Sequence, residues 1–336
     1  MADLYPLLLL PEFHERVWGT RDLSAFYPSH QVGPDPIGEV WLTGEGCRVA
    51  NGSLKGRSLG ELAQEFGDRL YGTLAPQPRF PLLIKIIFPE DKLSVQVHPD
   101  DVTAQKVGLP CGKTECWYVL SAAPGAKVAL GLKPGSDHAT VEASIRSKSL
   151  EELLEWVEVK PGDMIYVDAG TVHAIGPDCV LLETQQNSDT TYRLYDYGRP
   201  RELHIERGLE AMKKVTRAGK VRSRGGNGRV VLVSSPSFEV DKMLLKEEKS
   251  LSTFENADVT SPHCIVGLRG CGVIESATAS AITVGKGEAA IIPASLGPYR
   301  IVPQWEFECV RAVLPSTQVR EPETDAAAER KLTSCR

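Results

Sequence analysis

Short apolar runs, each closed off by proline, glycine or charged residues, recur along the whole chain. Residues 81–88 read Pro-Leu-Leu-Ile-Lys-Ile-Ile-Phe, and residues 164–167, 230–233, 238–245, 263–268, 272–275, 289–292 and 306–313 are runs of the same kind. Bounded runs of this length, rich in Val, Ile, Leu and aromatic residues, predict β-strands. Residues 94–99 alternate, so a strand there places Ser94, Gln96 and His98 on one face. A further strand is expected over residues 114–120.

Helical signals are fewer. Residues 58–66 open with Ser58 and Glu61 at capping-box spacing. Residues 100–106 begin with two aspartates, which suit a helix N-terminus. The longest helical stretch is expected from Ser136 to Val157 with breaks near residues 147–149, and another covers residues 204–214. Many strands and few helices predict a mainly β chain of antiparallel sandwiches or barrels rather than a doubly wound sheet. No glycine-rich nucleotide-binding sequence follows a strand, so neither a nucleotide fold nor guanylyltransferase activity is supported.

Residues 217–229, rich in Gly, Arg, Lys, Ser and Asn, have the composition of a linker or exposed loop. They separate residues 1–216, which carry the candidate chemistry, from a smaller all-β unit over residues 230–315. Residues 316–336 form a polar tail, either a terminal helix or disordered.

At 336 residues the chain has room for two domains. Its 42% hydrophobic and 24% charged content is that of a globular protein. The net charge of −6 gives no support for a nucleic-acid-binding surface, so an anionic ligand would need a local cationic pocket. None of the eight cysteines forms a C-x-x-C pair, which argues against a zinc ribbon or a dithiol centre. Leu7 to Leu10 is too short for a secretory core, and no apolar run approaches membrane-spanning length. A cytoplasmic protein with free thiols is expected.

Candidate chemistry is concentrated between Lys85 and Arg193. Gln96 and His98 share a strand face, Glu115 lies in the next strand, and His173 follows the strand 164–167 through a turn in which Gly170 permits a sharp bend. Two imidazoles, a carboxylate and an amide oxygen suit a divalent metal; zinc fits, and iron, manganese, cobalt or nickel accept the same atoms. Lys113 and Arg193 flank these positions.

At these residues the chain resembles the short bacterial form of type I mannose-6-phosphate isomerases, metalloenzymes of the cupin superfamily. The resemblance runs through Arg16-Val17-Trp18-Gly19, Ile37-Gly38-Glu39-Val40-Trp41, residues 85–101, residues 112–118, residues 159–176 and residues 182–199. It implies a jelly roll in each half. It implies one zinc per chain on Gln96, His98, Glu115 and His173, a catalytic role for Arg193, and pocket positions for Lys113, Trp18, Glu39, Lys85, Ser94 and Glu183. The helical insertion of larger members is absent or much reduced. Residues 293–298, Pro-Ala-Ser-Leu-Gly-Pro, stand where a second His-bearing turn is expected, so the C-terminal jelly roll is expected to lack metal.

The activity implied is zinc-dependent interconversion of mannose 6-phosphate and fructose 6-phosphate through a cis-enediol. Lys113 and Glu183 compete as the proton-transfer group, and Lys85 and Ser94 contact substrate. The implied partner is a small sugar phosphate, with no nucleic acid and no membrane, and the chain is a monomer or homodimer. The competing readings are an iron-dependent cupin oxygenase and a non-catalytic sugar-phosphate-binding cupin.

Overall fold

The fold is set by where the strands are buried. The strand Leu82–Ile87 is buried along its whole length, as its almost uninterrupted apolar sequence requires of a strand covered on both faces. Leu82, Ile84 and Ile86 point to one side, and Leu83, Lys85 and Ile87 to the other. A computed structural model describes residues 3–75, 78–226, 228–255, 258–315, 319 and 321–325. It is mainly β, with short helices, and has a cupin fold.

The N-terminal half is a sandwich of two antiparallel sheets. The larger runs in the order Gly219–Lys220, Met164–Val167, Glu115–Ala122, Cys179–Gln186, Leu82–Ile87, Ile37–Trp41, Glu12–Thr20. The smaller runs Tyr192–Tyr195, Val95–Val97, His173–Ile175, Lys127–Leu132, Leu154–Glu158. Trp18, Trp117, Val119, Val128, Ile165, Ile175 and Leu181 share one apolar cluster in this half.

Among the described residues, eight strands of the C-terminal half join Leu7–Leu9 in one nine-stranded sheet. Its two long strands, His263–Ser276 and Pro298–Val313, pair with each other throughout. Register shifts between Gly267 and Arg269 and between Gly270 and Gly272 interrupt that pairing, as bulges that bend a strand do. Beyond the shifts the neighbours change, from Ala289–Ile292 and Glu239–Leu245 to Ala279–Gly285 and Lys249–Ser252. The runs at 263–268 and 272–275 thus belong to one strand, and the run at 306–313 is the second half of another.

The halves are fused through a common core. Leu82, Ile84 and Ile86 share a buried cluster with Leu232, Val240, Val266, Ile291 and Val310. The strand Leu7–Leu9 pairs with Ala289–Ile292 of the C-terminal sheet, Leu8 opposite Ala290. The segment 217–229, expected as a linker or exposed loop, carries two short strands. Gly219–Lys220 extends the larger N-terminal sheet, and Arg224–Gly226 edges the C-terminal one.

The helix Leu59–Phe66 has the full capping box, with Ser58 and Glu61 bonded reciprocally. Asp100 caps Asp101–Lys106 through the Thr103 amide, and Ile205–Ala211 forms within the expected 204–214. The helical stretch expected over 136–157 does break near 147–149 as expected, but its second part is a correction. Asp137 caps a helix limited to His138–Arg146, and Lys148 at φ 60 ends it in the left-handed region. A 3₁₀ turn, Leu150–Leu153, follows, and Leu154–Glu158 then joins the smaller sheet as a strand.

The described tail residues touch the N-terminal sheet. Thr324 Oγ1 donates to the Arg217 carbonyl, and Glu321 accepts from Tyr166. The expected tail helix falls mostly outside the described residues. The described cysteines are free thiols, and Cys335 lies outside. Among the described residues no helix is long and apolar enough to cross a membrane.

Candidate metal centre and active site

Two rows of cross-strand neighbours build the site. In the larger sheet Trp41, Lys85, Glu183 and Trp117 lie opposite one another on four successive strands. In the smaller sheet Arg193, Gln96 and His173 do the same on three. Directly opposed residues share a face, so strand register brings together side chains nearly a hundred positions apart.

His98, Glu115 and His173 converge between these rows. Their potential ligand atoms lie within 4.8 Å of one another, and all three side chains are buried. His98 Nε2 is 3.5 Å from Glu115 Oε2, and His173 Nε2 is 3.3 Å from Glu115 Oε1. His98 Nδ1 is 2.9 Å from the Thr190 carbonyl and His173 Nδ1 2.9 Å from that of Thr171. A carbonyl oxygen only accepts, so both Nδ1 atoms carry the proton and both Nε2 atoms present lone pairs to the carboxylate.

Loop chemistry holds these groups in place. Gly170, at φ 93, donates its amide to the His98 carbonyl at 2.8 Å, and a side chain there would meet Lys213 at 2.5 Å. The expected sharp turn before His173 therefore requires glycine. Asp168 fixes the same turn, accepting from the Thr171 hydroxyl and the Arg217 amide. The loop before Glu115 is held by the Gly112 amide on Asp101, the Lys113 amide on the Pro99 carbonyl and the Thr114 amide on Gln186.

The electrostatics call for a cation. Burial, reinforced by the charge of Glu183, pushes the Glu115 carboxyl up to about 8, although Lys113 and Lys85 pull the other way. Burial lowers His173 to about 4; burial and the charge of Lys113 hold His98 well below the usual imidazole range. Both Glu115 oxygens are buried without a hydrogen-bond donor in good geometry. An ionised carboxylate facing two imidazole lone pairs is repulsive in protein atoms alone, which is why the carboxyl keeps its proton so strongly; a divalent ion can take that proton's place among the same atoms. The residues present therefore fit a metal held by two nitrogens and a carboxylate oxygen.

The other expected site residues fall around this centre. Gln96 has its amide nitrogen 3.2 Å from His173 Nε2, and a half-turn of the amide presents its oxygen there instead. Ser94 Oγ is 3.5 Å from Gln96 Oε1. Lys113 Nζ is 3.1 Å from Glu115 and 3.2 Å from His98 Nε2. Glu183 pairs with Lys85 at 2.9 Å and accepts from Trp117 Nε1 at 2.9 Å. Burial opposes ionisation of Glu183, yet Lys85 and Lys113 hold its carboxyl below the usual range.

Glu39 accepts from Trp41 Nε1 at 2.8 Å and is 3.7 Å from Lys85. Burial opposes its charge, but Lys85 and Arg16 bring its carboxyl down to about 2. Arg193 lies beside Gln96 with its Nη1 on the Glu202 carbonyl at 2.7 Å and its Nε buried without a partner. Trp18 is buried in the apolar cluster with Trp117. Sequence reasoning did not single out Arg16, Trp41 or Trp117 as site residues. The signal for Trp117 was present, since it lies two positions beyond Glu115 on the same strand face.

Comparison with known proteins agrees with this arrangement. Residues 7–118 match the model of the phosphomannose isomerase type I catalytic domain. The chain is 35% identical to a mannose-6-phosphate isomerase of Streptococcus mutans over 317 residues, covering 90% of this chain and 95% of that protein. It is 42% identical to one of Bacillus subtilis over 220 residues, covering 62% and 68% of the respective chains. A crystal structure of a Bacillus subtilis mannose 6-phosphate isomerase superposes with a TM-score of 0.79 at 31% identity, covering 92% of this chain and 98% of that one. With relatives of this identity matched along nearly their whole length, the chain belongs to the mannose-6-phosphate isomerase family of enzymes.

Proposed function

We propose that the protein interconverts mannose 6-phosphate and fructose 6-phosphate through a cis-enediol, with one zinc ion held by Gln96, His98, Glu115 and His173. The observation that carries this reading is the buried His98–Glu115–His173 cluster, with its imidazole tautomers fixed and its carboxylate unsatisfied, lined by Lys113, Lys85 and Arg193. When bound, the metal supplies positive charge to polarise sugar oxygens.

Aldose–ketose exchange removes a proton from a carbon next to a carbonyl and returns one to its neighbour. Two groups could carry that proton. Glu183 is engaged by both Trp117 and Lys85 and held ionised, which makes it a weak base. Lys113 reaches the centre of the cluster with its ammonium nitrogen, and we assign proton transfer to it. Arg193 has a buried Nε–H with no protein acceptor, available to an oxyanion developing beside Gln96. Lys85 and Ser94 are assigned to substrate oxygens or phosphate, and Trp18 and Glu39 to the walls of the pocket.

A coupled assay that supplies mannose 6-phosphate and detects fructose 6-phosphate tests the proposal. Turnover is expected to vanish on chelation and to return with zinc in proportion to metal bound per chain. Absence of turnover in the fully loaded protein rejects it.

A further inference from the structure

We propose that Arg16 and Glu39 are positioning residues for the isomerisation, acting through Lys85. They fix where its ammonium group sits in the row of side chains that faces Gln96, His173 and Arg193. This rests on the function proposed above.

Lys85 ends in a point charge on a flexible four-carbon stem, and only 3% of its side chain is exposed. Its Nζ is 2.9 Å from Glu183 Oε2, 3.7 Å from Glu39 Oε2 and 5.6 Å from the centre of the Trp41 ring. One carboxylate alone would leave the ammonium free to swing about a single contact. A second carboxylate and an aromatic face define its direction.

Glu39 can serve as that second anchor because it is itself held. The same oxygen that faces Lys85 accepts from Arg16 Nη2 at 3.0 Å and Trp41 Nε1 at 2.8 Å. Arg16 in turn is tied to the Glu15 and Pro36 carbonyls through Nη1 and its own amide. An alternating series of charges therefore runs from Arg16 near the surface through Glu39 and Lys85 to Glu183, which meets the indole of Trp117.

The inequality of the two Lys85 contacts is the informative detail. Two carboxylates compete for one ammonium, and Arg16 draws off part of the pull of Glu39. Without Arg16, Glu39 binds Lys85 more closely and pulls it from Glu183. Without the charge of Glu39, Lys85 is left to Glu183 alone. Both changes misplace a donor intended for a substrate oxygen, and neither touches the atoms around the metal.

The test uses the metal-loaded enzyme and mannitol 6-phosphate, a polyol phosphate that has no carbonyl and cannot isomerise. Binding is measured calorimetrically for wild type, Glu39→Gln, Lys85→Met and the double variant, with metal per chain measured for each. Glu39→Gln is expected to weaken binding about tenfold, as loss of one charge-assisted contact does. In the Lys85→Met background it should have less than about twofold effect. An equal effect in both backgrounds means that Glu39 acts on its own and overturns the proposal.

Crystal structures give a second readout that does not depend on binding. Lys85 Nζ should move toward Glu39 in Arg16→Ala and return in Arg16→Lys, and an unmoved Nζ in Arg16→Ala overturns the proposal. Wild-type turnover of mannose 6-phosphate is measured first. If turnover is absent, the functional reading fails; if it is present with additive effects, only the positioning role fails.

Discussion

Each half of the molecule buries an ionic cluster inside its β-structure, and the two are resolved in opposite ways. In the C-terminal half Asp241 is fully buried, but its Oδ2 accepts from Arg311 Nε at 3.0 Å, Arg311 Nη2 at 2.6 Å and Arg229 at 3.1 Å. His263 Nδ1 is hydrogen-bonded to the Tyr299 hydroxyl at 2.6 Å. That carboxylate has its countercharge within the protein. In the N-terminal half Glu115 has Lys113 nearby at 3.1 Å, but no good hydrogen bond, and two imidazole lone pairs face it. The same kinds of residue make a structural cluster in one half and a candidate metal centre in the other. Asp241 receives charge-assisted hydrogen bonds from two arginines at Oδ2 and leaves only Oδ1 unbonded, whereas Glu115 shares its surroundings with one ammonium and two imidazoles.

Five substitutions test that contrast. His98→Ala should have the largest effect, removing metal and lowering turnover by roughly a thousandfold or more; elemental analysis showing full metal occupancy would end the ligand assignment. Arg193→Ala should keep the metal and lose about a hundredfold in turnover, the effect of deleting one donor to a developing oxyanion. Near-normal kcat would remove it from the site.

In the other half, Arg311→Met should leave metal content and turnover unchanged while lowering stability by about 2 kcal/mol in urea unfolding. Breaking a buried ion pair usually costs about 3–5 kcal/mol, and Arg229 remains to offset part of it. Replacing Asp241 by Leu in the same protein should recover most of the loss. If Arg311→Met released the metal, the two clusters would not be independent.

The smallest effect concerns pH. Burial, with Arg311 and Arg229 close by, holds His263 well below the usual imidazole range, so it is neutral in the folded state. Its contribution is present above the unfolded-state value near 6.5 and is lost as the pH falls toward the folded-state value. His263→Gln should therefore reduce the loss of stability between about pH 6.5 and 5.5 by at most about 1.4 kcal/mol. An unchanged slope would mean that His263 does not titrate between the two states.

The candidate ligands were legible from their joint pattern, since each local setting alone is common. Alternation over 94–98 puts Gln96 and His98 on one face, and Gly170 marks the turn that brings in His173. Lys85, taken alone, reads as a solvated lysine, and only the family resemblance places it in the pocket; the structure buries it. Sequence period does not give register, however, so the row from Trp41 through Lys85 and Glu183 to Trp117 appears only once strands are paired.

The misread segments share a physical cause. Edge strands are short and charged, as protection against pairing with other chains requires. Gly219–Lys220 and Arg224–Gly226 accordingly have the composition of a loop. Residues 150–158 have apolar positions at helical spacing, but only 150–153 keep a helical turn, and the open edge of Lys127–Leu132 draws Leu154–Glu158 into the sheet.

The pairing of Leu7–Leu9 with Ala289–Ile292 bears on how the chain is made. The first of these segments leaves the ribosome early, and its partner emerges about 280 residues later. Until then Leu7 and Leu9, both buried in the folded protein, lack that neighbouring strand, a delay of roughly tens of seconds at ordinary elongation rates. A strand made late thus closes over one made far earlier, and a nascent chain stalled before residue 289 would leave the edge of Leu7–Leu9 uncovered for chaperones to bind.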